Sequence, residues 1–169
     1  DVVVIEPSDL GMFRREYEKF LPEASHERLA DASYDVMEYL FGLLENGGDP
    51  AGLRAPTAGT GPVASGTRVA YHPHCQARTI GVGEHATAVM ERLGYDVRTS
   101  DTECCGMAGS FGYKHDYYEL SMDVGEPIRE QFGDTDRTVV AAGTSCTEQI
   151  DALLGDAPMH PVQLVAPRE

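Results

Sequence analysis

One order of elements recurs three times in this chain and limits what it can fold into: a β-branched run, a short loop carrying cysteine, then an apolar-periodic helix. Residues 67–71 lead into His72-Pro73-His74-Cys75. A helix predicted over 82–93 follows, with Val82, Ala86, Val89, Met90 and Leu93 inward and Gly94 at its end. Residues 95–99 lead into Cys104-Cys105-Gly106 and a helix from about residue 113 that places Tyr113, Tyr117, Leu120 and Val124 on one packed face. Pro127 should kink or stop that helix. Residues 137–142 lead into Gly143-Thr144-Ser145-Cys146, a short helix to residue 154 and a last strand or turn near Met159. This alternation predicts an α/β fold: a parallel, doubly wound sheet with right-handed crossovers and helices on both faces. The loops that follow parallel strands open on one edge, the carboxyl edge, so cysteines distant in sequence can meet there.

Upstream, residues 2–5 read as a buried strand, and Ser8 or Asp9 is placed to cap a helix carrying Met12, Phe13, Tyr17 and Phe20 on one face. A second helix is expected over 28–44, with Ala32, Val36, Tyr39, Leu40 and Leu43 as its stripe and Asn46-Gly47-Gly48 as its stop. The first strand joins the main sheet if its loop, Glu6-Pro7-Ser8-Asp9, reaches the same edge. Residues 47–66, rich in Gly, Pro and small side chains, read as a flexible loop. The whole is one domain over 1–169: a strand and two helices over 1–46, the loop, and the cysteine-bearing units over 67–169. Because the chain starts at Asp1 and enters an apolar run at once, it reads as a fragment of a longer polypeptide.

The sequence carries 28 acidic against 13 basic residues, a net charge of −15, with lysine only at positions 19 and 114. Such a surface repels nucleic-acid phosphates. Its even spread of carboxylates fits a high-salt cytoplasm, and a halophilic source is the expectation. No apolar run is long enough to span a bilayer and no signal-peptide pattern opens the chain, so a cytoplasmic location is expected. Thiols there stay reduced, which favours metal ligands or redox groups over structural disulfides.

All four cysteines, Cys75, Cys104, Cys105 and Cys146, fall in the loops and none in a periodic segment. Four convergent thiolates suit an iron–sulfur cluster or zinc, although the spacing is neither that of a zinc ribbon nor of a bacterial ferredoxin run. Ser145-Cys146-Thr147-Glu148 reads as a capping box that sets Cys146 in the first helical turn, where the helix dipole favours thiolate. Gly106, Gly109 and Gly112 let backbone amides approach a charged centre. His72 and His74 flank Cys75 as ligands, proton relays or loop residues bonded to backbone, and the last reading is favoured because four sulfurs already complete a tetrahedral set. Thiol–disulfide chemistry ranks last, for want of a Cys-x-x-Cys pair.

Cys75, the block Cys104-Cys105-Gly106-Met107-Ala108-Gly109-Ser110-Phe111-Gly112-Tyr113 and Gly143-Thr144-Ser145-Cys146 together resemble the cysteine-rich CCG domain of iron–sulfur oxidoreductases. Glu6-Pro7-Ser8-Asp9 with Met12-Phe13-Arg14-Arg15-Glu16-Tyr17 resembles the upstream half of such domains fused behind flavin-linked 2-hydroxyacid dehydrogenases. The resemblance implies an electron-transfer domain in an assembly that oxidises a 2-hydroxyacid or glycerol 3-phosphate and passes electrons to a quinone or other acceptor. Its implied partners are an FAD-binding dehydrogenase domain or subunit and a ferredoxin-like iron–sulfur module, with any peripheral membrane contact made through a partner subunit. It also implies Cys75, Cys104, Cys105 and Cys146 as metal ligands, with Gly106, Gly109 and Ser145 beside the cofactor. Two departures stand out: the family's closing Cys-x-x-Cys is here Cys146-Thr147-Glu148-Gln149, and Asp9 stands where a cysteine often follows Pro-Ser. A noncubane double-motif cluster therefore fits less well than a single four-iron four-sulfur centre or a zinc site.

Overall fold

The computed structural model describes residues 1–53 and 68–167, so most of the expected loop over 47–66 lies outside the described residues. Three strands, β3 (Arg68–His72), β4 (Asp96–Thr99) and β5 (Thr138–Ala141), form a parallel sheet in the order β4-β3-β5. The chain thus adds β4 on one side of β3 and then crosses back to place β5 on the other. This reversal is what doubly wound means, and it opens a crevice between the carboxyl ends of β3 and β5.

Alternation along the strands divides the core. Val69, Tyr71, Val140 and Ala142 face α3 (Val36–Glu45), α5 (His85–Arg92) and α8 (Pro161–Val165). Ala70, Val139 and Ala141 face α6 (Tyr118–Phe132) and α7 (Thr144–Leu154), through Ile128, Phe132, Ile150 and Leu153. Helices therefore cover both faces, and the near-continuous apolar character of β3 and β5 follows from being buried on both sides. The five residues expected inside the 82–93 helix are all buried, and Gly94 ends it at φ +94°. Where a last strand or turn is expected near Met159, that residue makes an isolated parallel bridge to Val140.

The amino-terminal part differs from expectation. A strand does form, β1 (Val2–Val4), but Val2 and Val3 are exposed and it pairs with β2 (Ser33–Asp35) in a separate two-stranded parallel sheet. β2 interrupts what the periodicity marks as one helix over 28–44, leaving α2 (Glu23–Asp31) and α3. Asp35 then caps α3, accepting from the Met37 and Glu38 amides while Glu38 reaches back to the Asp35 amide. Arg14, at the end of α1 (Pro7–Arg14), donates to the Ser33 carbonyl and to Glu38, locking this corner. Glu6, rather than Ser8 or Asp9, caps α1, because Pro7 occupies its first turn.

The expected face of the helix after the second cysteine loop is also corrected. Tyr113, Tyr117, Leu120 and Val124 are exposed, and the buried stripe of α6 is Ser121, Gly125, Ile128 and Phe132. Pro127 lies inside α6 without ending it. No helix among the described residues is long and apolar enough to cross a membrane.

Candidate metal centre

β3 ends at His72, and the chain turns through Pro73 and His74 into the short helix α4 (Cys75–Thr79), so Cys75 sits in a first helical turn rather than a free loop. His74 caps α4 with its ring, Nδ1 accepting from the Gln76 amide at 3.1 Å. Its Nε2 stands 3.3 Å from Ser145 Oγ and 3.8 Å from Glu6 Oε1. One imidazole thereby ties together the exits of β1, β3 and β5. Gly143 makes room for it: φ is +89°, and a Cβ there would strike the His74 ring.

Cys146 falls in the first turn of α7, as its spacing predicts, but the expected capping box is absent. The helix starts earlier, with Gly143 as its cap residue, so Ser145 lies inside it and turns its hydroxyl to His74. The cap comes from the other sheet instead, Glu6 Oε2 accepting from the Thr144 amide at 2.7 Å. Burial opposes charge on Glu6, yet the amides of Thr144 and Ser8, with His74, hold its carboxyl below the ordinary value. The loop after β1 therefore does reach the carboxyl edge, although its strand belongs to another sheet.

The Cys104-Cys105 segment leaves β4 and is drawn over the crevice by two clamps. Arg78 of α4 donates from Nη2 to the carbonyls of Thr102 and Glu103 at 2.6 Å each. From below, Ser121 Oγ of α6 donates to the Gly106 carbonyl at 2.9 Å, and Gln149 Nε2 of α7 donates to the Ser121 carbonyl at the same distance. The approach is close enough to need glycine on both sides. Gly106 has φ +97° and a Cβ there would meet the Ser121 carbonyl, while a Cβ on Gly125 would lie 2.7 Å from the Cys105 carbonyl.

Within this loop Gly106, Ala108 (φ +45°) and Gly109 (φ +67°) curl the backbone so that amides converge on sulfur, the form of an anion-binding nest. The Gly106 amide donates to Cys104 Sγ at 3.4 Å. The Cys105 thiol is brought down to about 7, first by a hydrogen bond from Cys146 and then, against burial, by the amides of Met107, Cys105 itself and Ala108. Cys146 is pushed far up by the same bond and by burial, with repulsion from Cys105, Cys75 and Cys104 added. Burial, Cys104 and Cys105 raise Cys75 as well. Of the four, Cys105 and Cys146 come within 4.8 Å of each other and of a His72 ring nitrogen, whereas Cys75 and Cys104 lie outside that group. Cys105 and Cys146 are buried and Cys75 and Cys104 half-buried, all as free thiols. Ser145 lends its carbonyl oxygen, 3.9 Å from Cys105 Sγ. Gly109 shapes the turn.

His72, which the sequence offers as a ligand but favours as a loop residue bonded to backbone, is instead the last residue of β3. It is fully buried, its Nδ1 lies 2.7 Å from Ser100 Oγ, and its Nε2 is a buried nitrogen with no hydrogen-bond partner among the described residues. A ring nitrogen of His72, Cys105 Sγ and Cys146 Sγ all lie within 4.8 Å of one another. Burial, then Arg78 and His74, push His72 down to about 4, so the ring is neutral near pH 7. Leaving such a nitrogen unpaired costs about 1–3 kcal/mol. Two buried thiols and an orphaned imidazole nitrogen within 4.8 Å of one another make a donor set that a bound cation satisfies. The donor set of soft thiolates plus imidazole fits iron–sulfur clusters and zinc. The sequence signal lies in the alternation of β3, which sends Tyr71 to one face and His72 to the other.

Fold and site thus define a cysteine-rich α/β domain that gathers thiols at a topological switch point. Residues 69–151 match the family model of the CCG cysteine-rich domain. Over 101 residues, 59% of the chain, it is 27% identical to a subunit of the anaerobic glycerol-3-phosphate dehydrogenase of Escherichia coli strain K12, covering 26% of that protein. It is also 27% identical, over 96% of its own length, to the D-2-hydroxyglutarate dehydrogenase of the same strain, covering 15% of it. The corresponding dehydrogenase of Pseudomonas putida is 32% identical over 77 residues, 46% of the chain and 8% of that protein. The chain therefore spans about a quarter or less of these relatives. No solved structure matches it.

Proposed function

We propose that this chain is the metal-binding electron-transfer domain of a flavin-linked dehydrogenase, with Cys75, Cys104, Cys105 and Cys146 as ligands of a four-iron four-sulfur centre. The observation that carries this reading is the convergence of His72, Cys105 and Cys146, one from each of three successive βα units, to within 4.8 Å at the crevice between β3 and β5, the place where doubly wound sheets bind ligands. Such a centre, when bound, supplies one-electron transfer. The chain's own residues do the rest. The Met107 and Ala108 amides aimed at Cys105 and the Gly106 amide at Cys104 stabilise negative charge on sulfur and so raise the potential. Arg78 and the Ser121 hydroxyl of α6 hold the loop in place, and burial of Cys105 and Cys146 keeps water away. The half-buried Cys75 and Cys104 mark the side from which electrons enter or leave.

Relatives named as dehydrogenases of glycerol 3-phosphate and D-2-hydroxyglutarate support a small hydroxy substrate bound elsewhere in the assembly. An FAD-binding domain or subunit and a ferredoxin-like module are the partners this reading requires, with a quinone or other acceptor downstream.

A second reading is favoured by one observation. A tetrahedral zinc with bonds of about 2.0–2.3 Å sets its ligand atoms roughly 3.5–3.8 Å apart, and the group of His72, Cys105 and Cys146 is already within 4.8 Å. A zinc-stabilised interaction module would fit that compactness. Anaerobic purification followed by iron, sulfide and zinc analysis and electron paramagnetic resonance distinguishes the two. Iron and sulfide with a signal on reduction support electron transfer. Stoichiometric zinc with no redox signal supports the second reading, and no metal after reconstitution with all thiols reduced refutes both.

A further inference from the structure

We propose that His72 is itself a metal ligand, binding through Nε2 beside Cys105 and Cys146 and taking the place of one of the two cysteines outside that group, Cys75 or Cys104, so that the site is a mixed cysteine–histidine set and not a purely sulfur one. The inference rests on the metal-binding reading above and deepens it. Three observations converge.

His72 is placed by the sheet and not by a loop. It is the last residue of β3, paired in register with Ala141 of β5, and completely buried at the crevice where Cys146 enters α7. Its orientation is fixed from behind. Ser100, just past the end of β4, is buried, has its amide bonded to the Tyr71 carbonyl at 2.9 Å and presents Oγ 2.7 Å from Nδ1. With Nδ1–H donating to that oxygen, the lone pair sits on Nε2, the arrangement by which an outer partner sets the tautomer of a ligating imidazole. Among the described residues Nε2 is buried without a hydrogen-bond partner, and the sulfurs of Cys105 and Cys146 stand within 4.8 Å of a nitrogen of this ring.

His74 provides the contrast. Both of its nitrogens are engaged, Nδ1 by the Gln76 amide and Nε2 by Ser145 and Glu6, so it positions the elements that carry the ligands and binds no metal. Ser100 is likewise a positioning residue, acting only through His72. Replacing one thiolate by a neutral imidazole lowers the negative charge of a centre, as in the two-histidine two-iron clusters whose potentials lie well above their all-cysteine counterparts.

The test uses the purified protein labelled with 15N-histidine, alongside His72→Gln, His74→Gln and Ser100→Ala. If the protein holds an iron–sulfur cluster, pulsed electron paramagnetic resonance of the reduced centre reads coordinated nitrogen directly. If it holds zinc, the cobalt-substituted protein is read by its visible bands and paramagnetically shifted imidazole resonances. The expected result is a strongly coupled nitrogen in the unmodified protein and in His74→Gln, lost in His72→Gln and altered in Ser100→Ala. A loaded protein with no directly coordinated nitrogen overturns the assignment while leaving metal binding intact. Failure of the unmodified protein to hold any metal overturns both. Because the readout on the unmodified protein needs no substitution, misfolding of His72→Gln does not blunt the test.

Discussion

Gly106→Ala isolates the contact that sets the Cys104-Cys105 loop against α6. An alanine at φ +97° carries a conformational cost of about 1–2 kcal/mol. Its Cβ would also press on the Ser121 carbonyl, a backbone atom that cannot swing away. The loop must then lift, weakening the bonds from Ser121 Oγ to the Gly106 carbonyl and from Gln149 to the Ser121 carbonyl, each worth about 1 kcal/mol. The total is about 3–4 kcal/mol, which for a domain of this size corresponds to about 6–16 °C in Tm. Gly109→Ala is the control. Its φ of +67° is similarly unfavourable, but nothing lies within 4 Å of the added Cβ, so only the backbone cost remains, about 1–2 kcal/mol and about 2–8 °C. Thermal denaturation of both variants, with metal content measured on the same preparations, should show Gly106→Ala losing more stability and most of its metal, and Gly109→Ala keeping its metal. Equal losses of Tm and metal in the two variants would refute the claim that α6 holds the cysteine loop in place.

Cys105→Ala should lose metal while His74→Ala retains it, since His74 has both nitrogens committed to protein groups; elemental analysis after identical reconstitution checks this, and equal loss in both would make His74 a ligand. In the metal-free protein Cys105 ionises near 7 against an ordinary 9.0, so between those values the unfolded chain keeps a proton that the folded one has released and stability rises with pH; as pH falls through 7 the gain is lost. Above 9 the sign reverses, because Cys146 and Cys75 hold their protons in the fold. Urea midpoints across this range should show the rise, and Cys146→Ala should flatten it by removing the bond that does most to favour the Cys105 thiolate. The spread of 28 acidic against 13 basic residues predicts, for a protein adapted to high salt, a Tm that climbs from dilute buffer into molar potassium chloride; an unchanged Tm would speak against that adaptation.

The three cysteine-bearing units are readable because each carries its signals locally: β-branched runs for β3, β4 and β5, inward periodicity over α5, and a cysteine in the first turn of α7. What cannot be read depends on contacts distant in the chain. β2 forms because β1 needs a partner and Asp35 with Glu38 makes a capping box, a Ser-Tyr-Asp-x-x-Glu signal hidden inside an apolar stripe that reads as helix. The Ser145 capping box fails because Glu6, far away in sequence, reaches the Thr144 amide first and Gly143 starts the helix early. The face of α6 misleads because its core-facing positions include Ser121 and Gly125, small residues that allow close approach to the cysteine loop, while larger side chains such as Leu120 and Val124 face outward. Counting four sulfurs as a complete ligand set turns attention away from His72. Only the sheet register and the empty hydrogen-bonding position of Nε2 bring it forward.

The central claim is that thiols from three crossover units share one metal. X-ray absorption at the metal edge, on protein purified without oxygen, tests it most directly. The account predicts a bound iron or zinc whose nearest shell is dominated by sulfur and loses sulfur scatterers on Cys105→Ala and Cys146→Ala alike. A metal surrounded by oxygen and nitrogen alone, or one whose sulfur shell is untouched by both substitutions, would contradict it.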